Sequence, residues 1–300
     1  MSLKRKVLVL VCVVGILFTG VILYRPKIRL LVSTTTSLYA TGLLDELGSA
    51  FMKKHPYVSI QFIAVGSGAA LRLAAQGDVD MVLVHAPNLE IEYIQNGIII
   101  NKTIFAYNYF IVVGPIDDPA NISGLSDPIE AIKRIYNACE SGLTLFVSRG
   151  DLSGTHQREL LLWKLAGLDP RGKPWYIETG SGMAETLLVA NEKNAYTLSD
   201  IGTFLKFSKD GKLPYLASLV AGGRILINIY SAYIVDPNKY PHVKYDIAKE
   251  FLLFLISDEG QNIIKNYGVK DYGQPLFYPA KGKLEELEEY WLWLADMSTT

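Results

Sequence analysis

The sequence predicts an α/β fold built from two similar units. Short apolar runs alternate with segments whose apolar residues recur at helical spacing. The alternation occurs twice, in stretches of roughly a hundred residues each, as expected of sheets covered by helices. The strand-to-helix junctions are rich in glycine and hydroxyl residues, the composition of ligand-binding loops at the carboxyl edge of such a sheet. A chain of 300 residues, 50% hydrophobic and 20% charged, is long enough for two lobes and has globular composition.

An apolar span precedes the fold. Residues 7–24, VLVLVCVVGILFTGVILY, contain no charge; Lys4, Arg5 and Lys6 come before them and Arg25, Lys27 and Arg29 after. Eighteen such residues reach the lower limit for a bilayer-spanning helix. No small-residue cleavage pattern follows. Residues 1–26 are therefore expected to form one uncleaved N-terminal transmembrane helix, with a cleaved secretion signal as the alternative. The remainder is then extracytoplasmic. Taking the four basic residues of that segment from 29 leaves 25 against 30 acidic, a net charge of -5.

Ile28–Val32 is a short strand that ends at Ser33-Thr34-Thr35-Thr36-Ser37. Leu43, Leu44, Leu47, Ala50 and Phe51 share a helical face that stops at His55-Pro56. Val58, Ile60, Phe62 and Ala64 alternate as a strand does, and Gly66-Ser67-Gly68 opens a helix running to Ala75. Met81–Val84 and Tyr109–Val113 read as buried strands, with chain breaks at Gly114-Pro115 and Asp118-Pro119. The second unit begins with the strand Leu143–Val147, the loop from Ser148 to Thr155 and a helix over Glu159–Ala166. Trp175–Ile177 is a strand, and Thr179-Gly180-Ser181-Gly182 opens another helix. Ala195–Thr197 is short and apolar, with Ser199 or Asp200 placed to cap the next helix. Ile225–Val235 is the longest strand candidate, and helix follows Pro237. The pattern implies a mostly parallel sheet covered on both faces.

Composition and motifs exclude several classes. Two cysteines make no disulfide scaffold, and only Cys139 lies beyond the anchor. The four histidines never fall at H-E-x-x-H spacing, so that zinc site is absent, and no metal is expected. There is no P-loop, the glycines at Gly66 and Gly68 do not complete a dinucleotide fingerprint, and the charge balance does not point to nucleic acid. Ser153 lies in G-D-L-S-G, not G-x-S-x-G, which leaves a membrane-anchored hydrolase using Ser153 with His156 as the alternative of another class.

Four junctions share one chemistry: Thr34–Ser37, Gly66–Gly68, Arg149–Thr155 and Gly180–Gly182. Helix N-termini offer unpaired N–H groups, glycine lets backbone approach closely, and serine and threonine add hydroxyl donors. Such loops suit an oxyanion. Arg149 adds the one strong positive charge among them, with Asp151 placed to hold its guanidinium.

Together the opening Thr34-Thr35-Thr36-Ser37, the block SRGDLSGTHQRE (Ser148–Glu159), GSGMAETL (Gly180–Leu187) and YTLSDIGT (Tyr196–Thr203) resemble the Tup-type tungstate-binding proteins, over about residues 30–280. These are the extracytoplasmic substrate-binding components of tungstate ABC transporters. The resemblance implies a two-lobed periplasmic-binding-protein (Venus-flytrap) fold: lobe I from 27–112 plus 234–300, lobe II from 113–233. It implies an oxyanion ligand, tungstate or alternatively molybdate, held by Thr35, Thr36, Ser37, Ser67, Arg149, Ser153 and Thr155. His85, Asp151, Gly154, Ser181 and Gly182 would stand behind or beside it. Related phosphate binders carry an aspartate where His85 stands, which accepts the phosphate proton; His85 is expected to donate to a fully deprotonated anion instead. Ser67 replaces the family's usual threonine and keeps the hydroxyl; Ala184 stands where glycine is common. An ABC permease is the implied partner, the chain is expected to be monomeric, and no cofactor and no catalysis are implied.

Overall fold

The computed structural model describes residues 27–296. The expected membrane helix at residues 7–24 lies outside them. Among the described residues, no helix is long and apolar enough to cross a membrane.

The first unit is a parallel three-stranded core. Strand β1 (Ile28–Thr35) runs into the short helix α1 (Thr36–Ala40) and helix α2 (Leu43–Lys54). Helix α2 buries Leu43, Leu44, Leu47 and Phe51 on one face, carries Asp45 and Glu46 in its first turn and Lys53 and Lys54 in its last, and so complements its own dipole. Strand β2 (Val58–Val65), helix α3 (Ser67–Gln76), strand β3 (Met81–Val84) and helix α4 (Pro87–Gln95) follow. Strand β1 pairs in parallel with β2 on one side and β3 on the other.

Strand β4 (Ile99–Pro115) is 17 residues long and threads two sheets. Helix α5 (Pro128–Glu140), strand β5 (Phe146–Ser148), helix α6 (Gly154–Leu165), strand β6 (Tyr176–Glu178), helix α7 (Met183–Lys193), strand β7 (Thr197–Asp200), helix α8 (Ile201–Lys209) and strand β8 (Leu216–Ala221) follow it. A 3₁₀ turn over Arg224–Leu226 then leads into strand β9 (Ile227–Val235), buried at every position. The chain closes with helices α9 (Tyr245–Ile256), α10 (Asp258–Asn266) and α11 (Val269–Tyr272), strand β10 (Tyr278–Pro279) and helix α12 (Leu284–Asp296).

The sheet is mixed, not mostly parallel as the alternation implied. Among the described strands, parallel pairing is confined to β1–β2, β1–β3 and β5–β6, with one isolated parallel bridge from Phe146 to Tyr196. From Ile99 to Tyr109, β4 pairs antiparallel with β9; from Phe110 to Pro115 it pairs antiparallel with β7 and β8. Strand β9 also pairs antiparallel with β3. The cause is connectivity: β4 leads out of the first sheet and β9 returns to it alongside, so the two run in opposite directions. Among the described residues the longest strand is thus β4, and the expected Ile225–Val235 strand starts two residues later, after the 3₁₀ turn. Strand β8 had no expectation; its LASLVA run is too short to show a period of its own and is drawn into place by β4.

One core packs Leu30, Val32, Leu47, Phe51, Val82 and Phe251 against the first sheet. A second gathers Phe110, Ile132, Phe146, Trp163 and Tyr196 with Leu287 and Trp291 of α12. Gly114 of β4 lies under the Tyr196 ring: a Cβ there would sit 2.3 Å from Cδ1. The ring is held because its hydroxyl donates to Asp118 Oδ1 (2.7 Å) and accepts from Ala120 N (2.9 Å). Gly114→Ala is therefore expected to destabilise the fold by about 1–3 kcal/mol through overpacking. Urea denaturation checks this, and an unchanged midpoint would mean that the ring yields.

Candidate functional site

The loop after β1 turns straight into α1. Thr35 caps that helix, its Oγ1 accepting from Leu38 N at 3.3 Å. Its Oγ1 also lies 3.4 Å from Ser37 Oγ, which is 3.4 Å from His85 Nε2. Thr36 is half-buried at the rim. After β2, Gly66 starts α3 without a side-chain cap, so the first-turn N–H groups remain available. Ser67 is wholly buried, and its hydroxyl has no partner.

On the other side, the loop after β5 wraps a buried arginine. Arg149 is 2% exposed, and its Nη2 donates to Asp151 Oδ2 at 2.5 Å. Its Nε has no partner. Asp151 uses its other oxygen to accept from Ser153 N at 3.1 Å. Ser153 caps α6, its Oγ accepting from His156 N at 3.3 Å. Thr155, in the first turn of α6, buries its hydroxyl without a partner. Gly182 starts α7 without a side-chain cap, while Ser181 turns its hydroxyl back to Thr179 O at 3.2 Å.

Glycines bring the two sides together. A Cβ on Gly154 would lie 2.7 Å from His85 O and 2.8 Å from its ring atoms Cε1 and Nδ1. One on Gly66 would lie 3.8 Å from Asp151 O, and one on Gly182 4.0 Å from Thr36 Oγ1. Asn88 Nδ2 donates to Gln157 Oε1 across the same junction at 2.9 Å. The four loops singled out in the sequence thus face one another in pairs. Four of their buried donors, Thr34 Oγ1, Ser67 Oγ, Arg149 Nε and Thr155 Oγ1, are unsatisfied. Each such group costs about 1–3 kcal/mol unless something accepts from it. An acceptor-only anion answers that chemistry. Among the described residues, no cluster of His, Cys, Asp or Glu could hold a metal ion.

His85 does not present the donor that the sequence suggested. Its Nδ1 lies 2.8 Å from Asn228 Oδ1 and donates to it. In the neutral ring Nε2 is then an acceptor toward Ser37. Burial, with Arg149 and Arg158 nearby, lowers the ring pKa to about 4 against the opposing Asn228 bond and Asp151. The Ser153–His156 pair is not assembled for nucleophilic catalysis: His156 Nδ1 accepts from Leu152 N at 3.0 Å, and Ser153 Oγ meets the backbone of His156, not its ring. Asp200 caps α8 through Thr203 N (2.9 Å), and burial raises its carboxyl pKa.

Several supporting residues escaped sequence reasoning. Asn108 and Asn228 sit buried in β4 and β9; the available signal was a polar amide inside an apolar strand run. Arg158 is buried and donates to the carbonyls of Ile225 and Ile227. Glu159, buried on α6, accepts from Ser148 Oγ (2.8 Å), Tyr176 OH (2.6 Å) and Trp163 Nε1 (3.2 Å). Ser148 Oγ in turn accepts from Gly150 N at 3.3 Å, so Glu159 braces the arginine loop.

Burial pushes the Glu159 carboxyl from an ordinary 4.5 up to about 7, against those three donors. Its native pKa lies above its unfolded one, so its contribution to stability is complete below pH 4.5 and is lost as pH rises through about 7. Relative to Glu159→Gln, wild type should lose on the order of 2–3 kcal/mol between pH 5 and 8. Denaturant midpoints of both proteins across that range test it; a pH-independent difference would refute the assignment.

The chain is similar to proteins of known kind. The family model of the PBP superfamily domain matches residues 25–259. A tungstate-binding protein TupA of Peptoclostridium acidaminophilum is 36% identical over 261 residues, covering 86% of this chain and 88% of that protein. The solved structure of a tungstate ABC transporter protein from Geobacter sulfurreducens superposes with a TM-score of 0.73 at 44% identity, covering 81% of this chain and all of that one. The tungstate-binding protein TupA of Desulfovibrio alaskensis G20 gives a TM-score of 0.71 at 39% identity, over 85% of this chain and 99% of that one.

Proposed function

This chain belongs to the PBP superfamily and, within it, to the tungstate-binding proteins, and from that premise we propose that it captures tungstate outside the cytoplasm for delivery to an ABC permease. The observation that carries the reading is the set of buried donors without partners, Ser67 Oγ, Arg149 Nε and Thr155 Oγ1 together with Thr34 Oγ1, on loops that meet from two sides. Thr35, Thr36, Ser37 and Ser67 would contact the anion from one side, and Arg149, Ser153 and Thr155 from the other. Asp151, Gly154, Ser181, Gly182 and His85 would shape and brace the cavity.

Binding would proceed by closure. Residues 27–112 with 234–300 would form one lobe and 113–233 the other, with β4 and β9 as the crossings. An anion held by donors from both lobes stabilises the closed form alone, which is the form a permease would engage. Residues 7–24 would keep the binder near that permease. The net charge of -5 beyond residue 26 is no obstacle, because the site's charge is local. Hydroxyls set for the larger tungstate would stand too far from sulfate oxygens. Molybdate, of nearly equal size, is the competing ligand.

Calorimetric titration of the full chain in mild detergent with tungstate, molybdate, sulfate and phosphate tests the proposal. Tungstate is expected to bind in the nanomolar range, about -12 kcal/mol, with sulfate and phosphate far weaker. Arg149→Gln should weaken tungstate at least ~100-fold, and Ser67→Ala or Thr155→Val by roughly 1–3 kcal/mol each. Tight phosphate binding would overturn the ligand assignment, and absence of heat with all four anions would overturn the oxyanion reading.

A further inference from the structure

A chain of directional hydrogen bonds fixes the tautomer of His85. It starts at a backbone carbonyl, Leu276 O, which can only accept. Asn108 therefore turns Nδ2 toward it (3.3 Å) and presents Oδ1 at its other end. That oxygen accepts from Asn228 Nδ2 at 2.9 Å, and the same Nδ2 donates to Tyr230 OH at 2.7 Å. Asn228 is left with Oδ1 facing His85 Nδ1 at 2.8 Å, so Nδ1 must carry a hydrogen. The one place where this ring can gain a proton is Nε2, 3.4 Å from Ser37 Oγ and so among the residues of the proposed anion site.

A neutral Nε2 offers a lone pair, met only by the Ser37 hydroxyl at 3.4 Å, and every oxygen of a dianion that comes against it offers another. Two lone pairs cannot meet across a buried cavity without a proton between them. We propose that capture of the oxyanion is coupled to uptake of one proton at His85 Nε2, so that the site closes on the anion and a proton together. The step balances as a free dianion, one solvent proton and a neutral imidazole giving an imidazolium whose Nε2–H donates to an anion oxygen. His85 then becomes the donor that a fully deprotonated ligand requires. This inference rests on the oxyanion reading above.

The surroundings favour the exchange. Arg149 and Arg158 disfavour a charged ring before binding, and Asp151 opposes them. A dianion would supply two negative charges beside the ring and reverse that balance. The Tyr230 ring packs at 4.9 Å, and burial keeps its phenol from ionising. On α4, Glu90 accepts from Ala86 N beside His85, and burial raises its carboxyl pKa. Phe110 adds a ring centroid at 6.2 Å and no charge.

The test is calorimetry of the full chain with sodium tungstate in several non-phosphate buffers of different ionisation enthalpy. The dependence of heat on buffer counts protons. Close to one proton is expected to be taken up at pH 6.5, with Kd rising toward tenfold per pH unit as pH goes to 8.5. In His85→Gln, uptake should vanish and Kd should no longer depend on pH. Wild type alone decides if that variant fails to fold. Tungstate binding with buffer-independent heat would overturn the coupling and leave the oxyanion reading standing, as would uptake that persists in His85→Gln, which places the proton elsewhere. No tungstate binding would overturn both.

Discussion

A guanidinium taken out of water must be given acceptors, and Arg149, 2% exposed, has one carboxylate and an unsatisfied Nε. The local architecture is arranged around that charge. Asp151 folds back to meet it because Gly150 and Leu152 take positive φ values of 61° and 57° on either side. The second oxygen of Asp151 holds Ser153 N, and Ser153 caps α6. One carboxylate therefore ties the arginine to the start of a helix. From within α6, Glu159 fixes Ser148 and through it Gly150. The charge is held from both ends of its loop, and its free N–H remains for a ligand.

The opposite side of the site depends on close backbone approach. Gly154 packs so tightly on His85 that a methyl group would overlap both its carbonyl and its ring. Gly66 and Gly182 lie at the other two meeting points, and both begin helices that lack side-chain caps. Glycine in these loops thus serves two ends, leaving amide donors free and letting the two sides touch. The strands that connect the sides, β4 and β9, run antiparallel for most of their length, so a change in their twist or bend would move one set of loops relative to the other.

Polar groups inside these two strands are costly unless each is satisfied, and here they form a directed relay. Asn108, Asn228 and Tyr230 answer one another and leave His85 Nε2, which faces Ser37, as the acceptor of the ring. A polar network of this kind specifies a ring orientation and a tautomer, which an apolar core could not do.

Much of this was legible in the sequence, because it is local. The TTTS turn, the SRGDLSGT loop and the glycine-rich helix starts are chemical statements made by adjacent residues, and the structure brings those loops face to face. The 3.6-residue spacing of Leu43, Leu47 and Phe51 likewise announced its helix. Other features were decided only by residues distant in sequence. The antiparallel course of β4 and β9 follows from the chain leaving one sheet and returning, which no short window records. The length of β4 depends on partners more than a hundred positions away. The tautomer of His85 was not legible in the sequence, because it is set by what the other nitrogen touches, and Asn228 reaches it across 143 residues. The amino-acid sequence alone determined which chemical groups the loops would carry. The tertiary structure determined which of those groups remained unpaired, because satisfaction of a buried donor depends on every neighbour that folding brings to it.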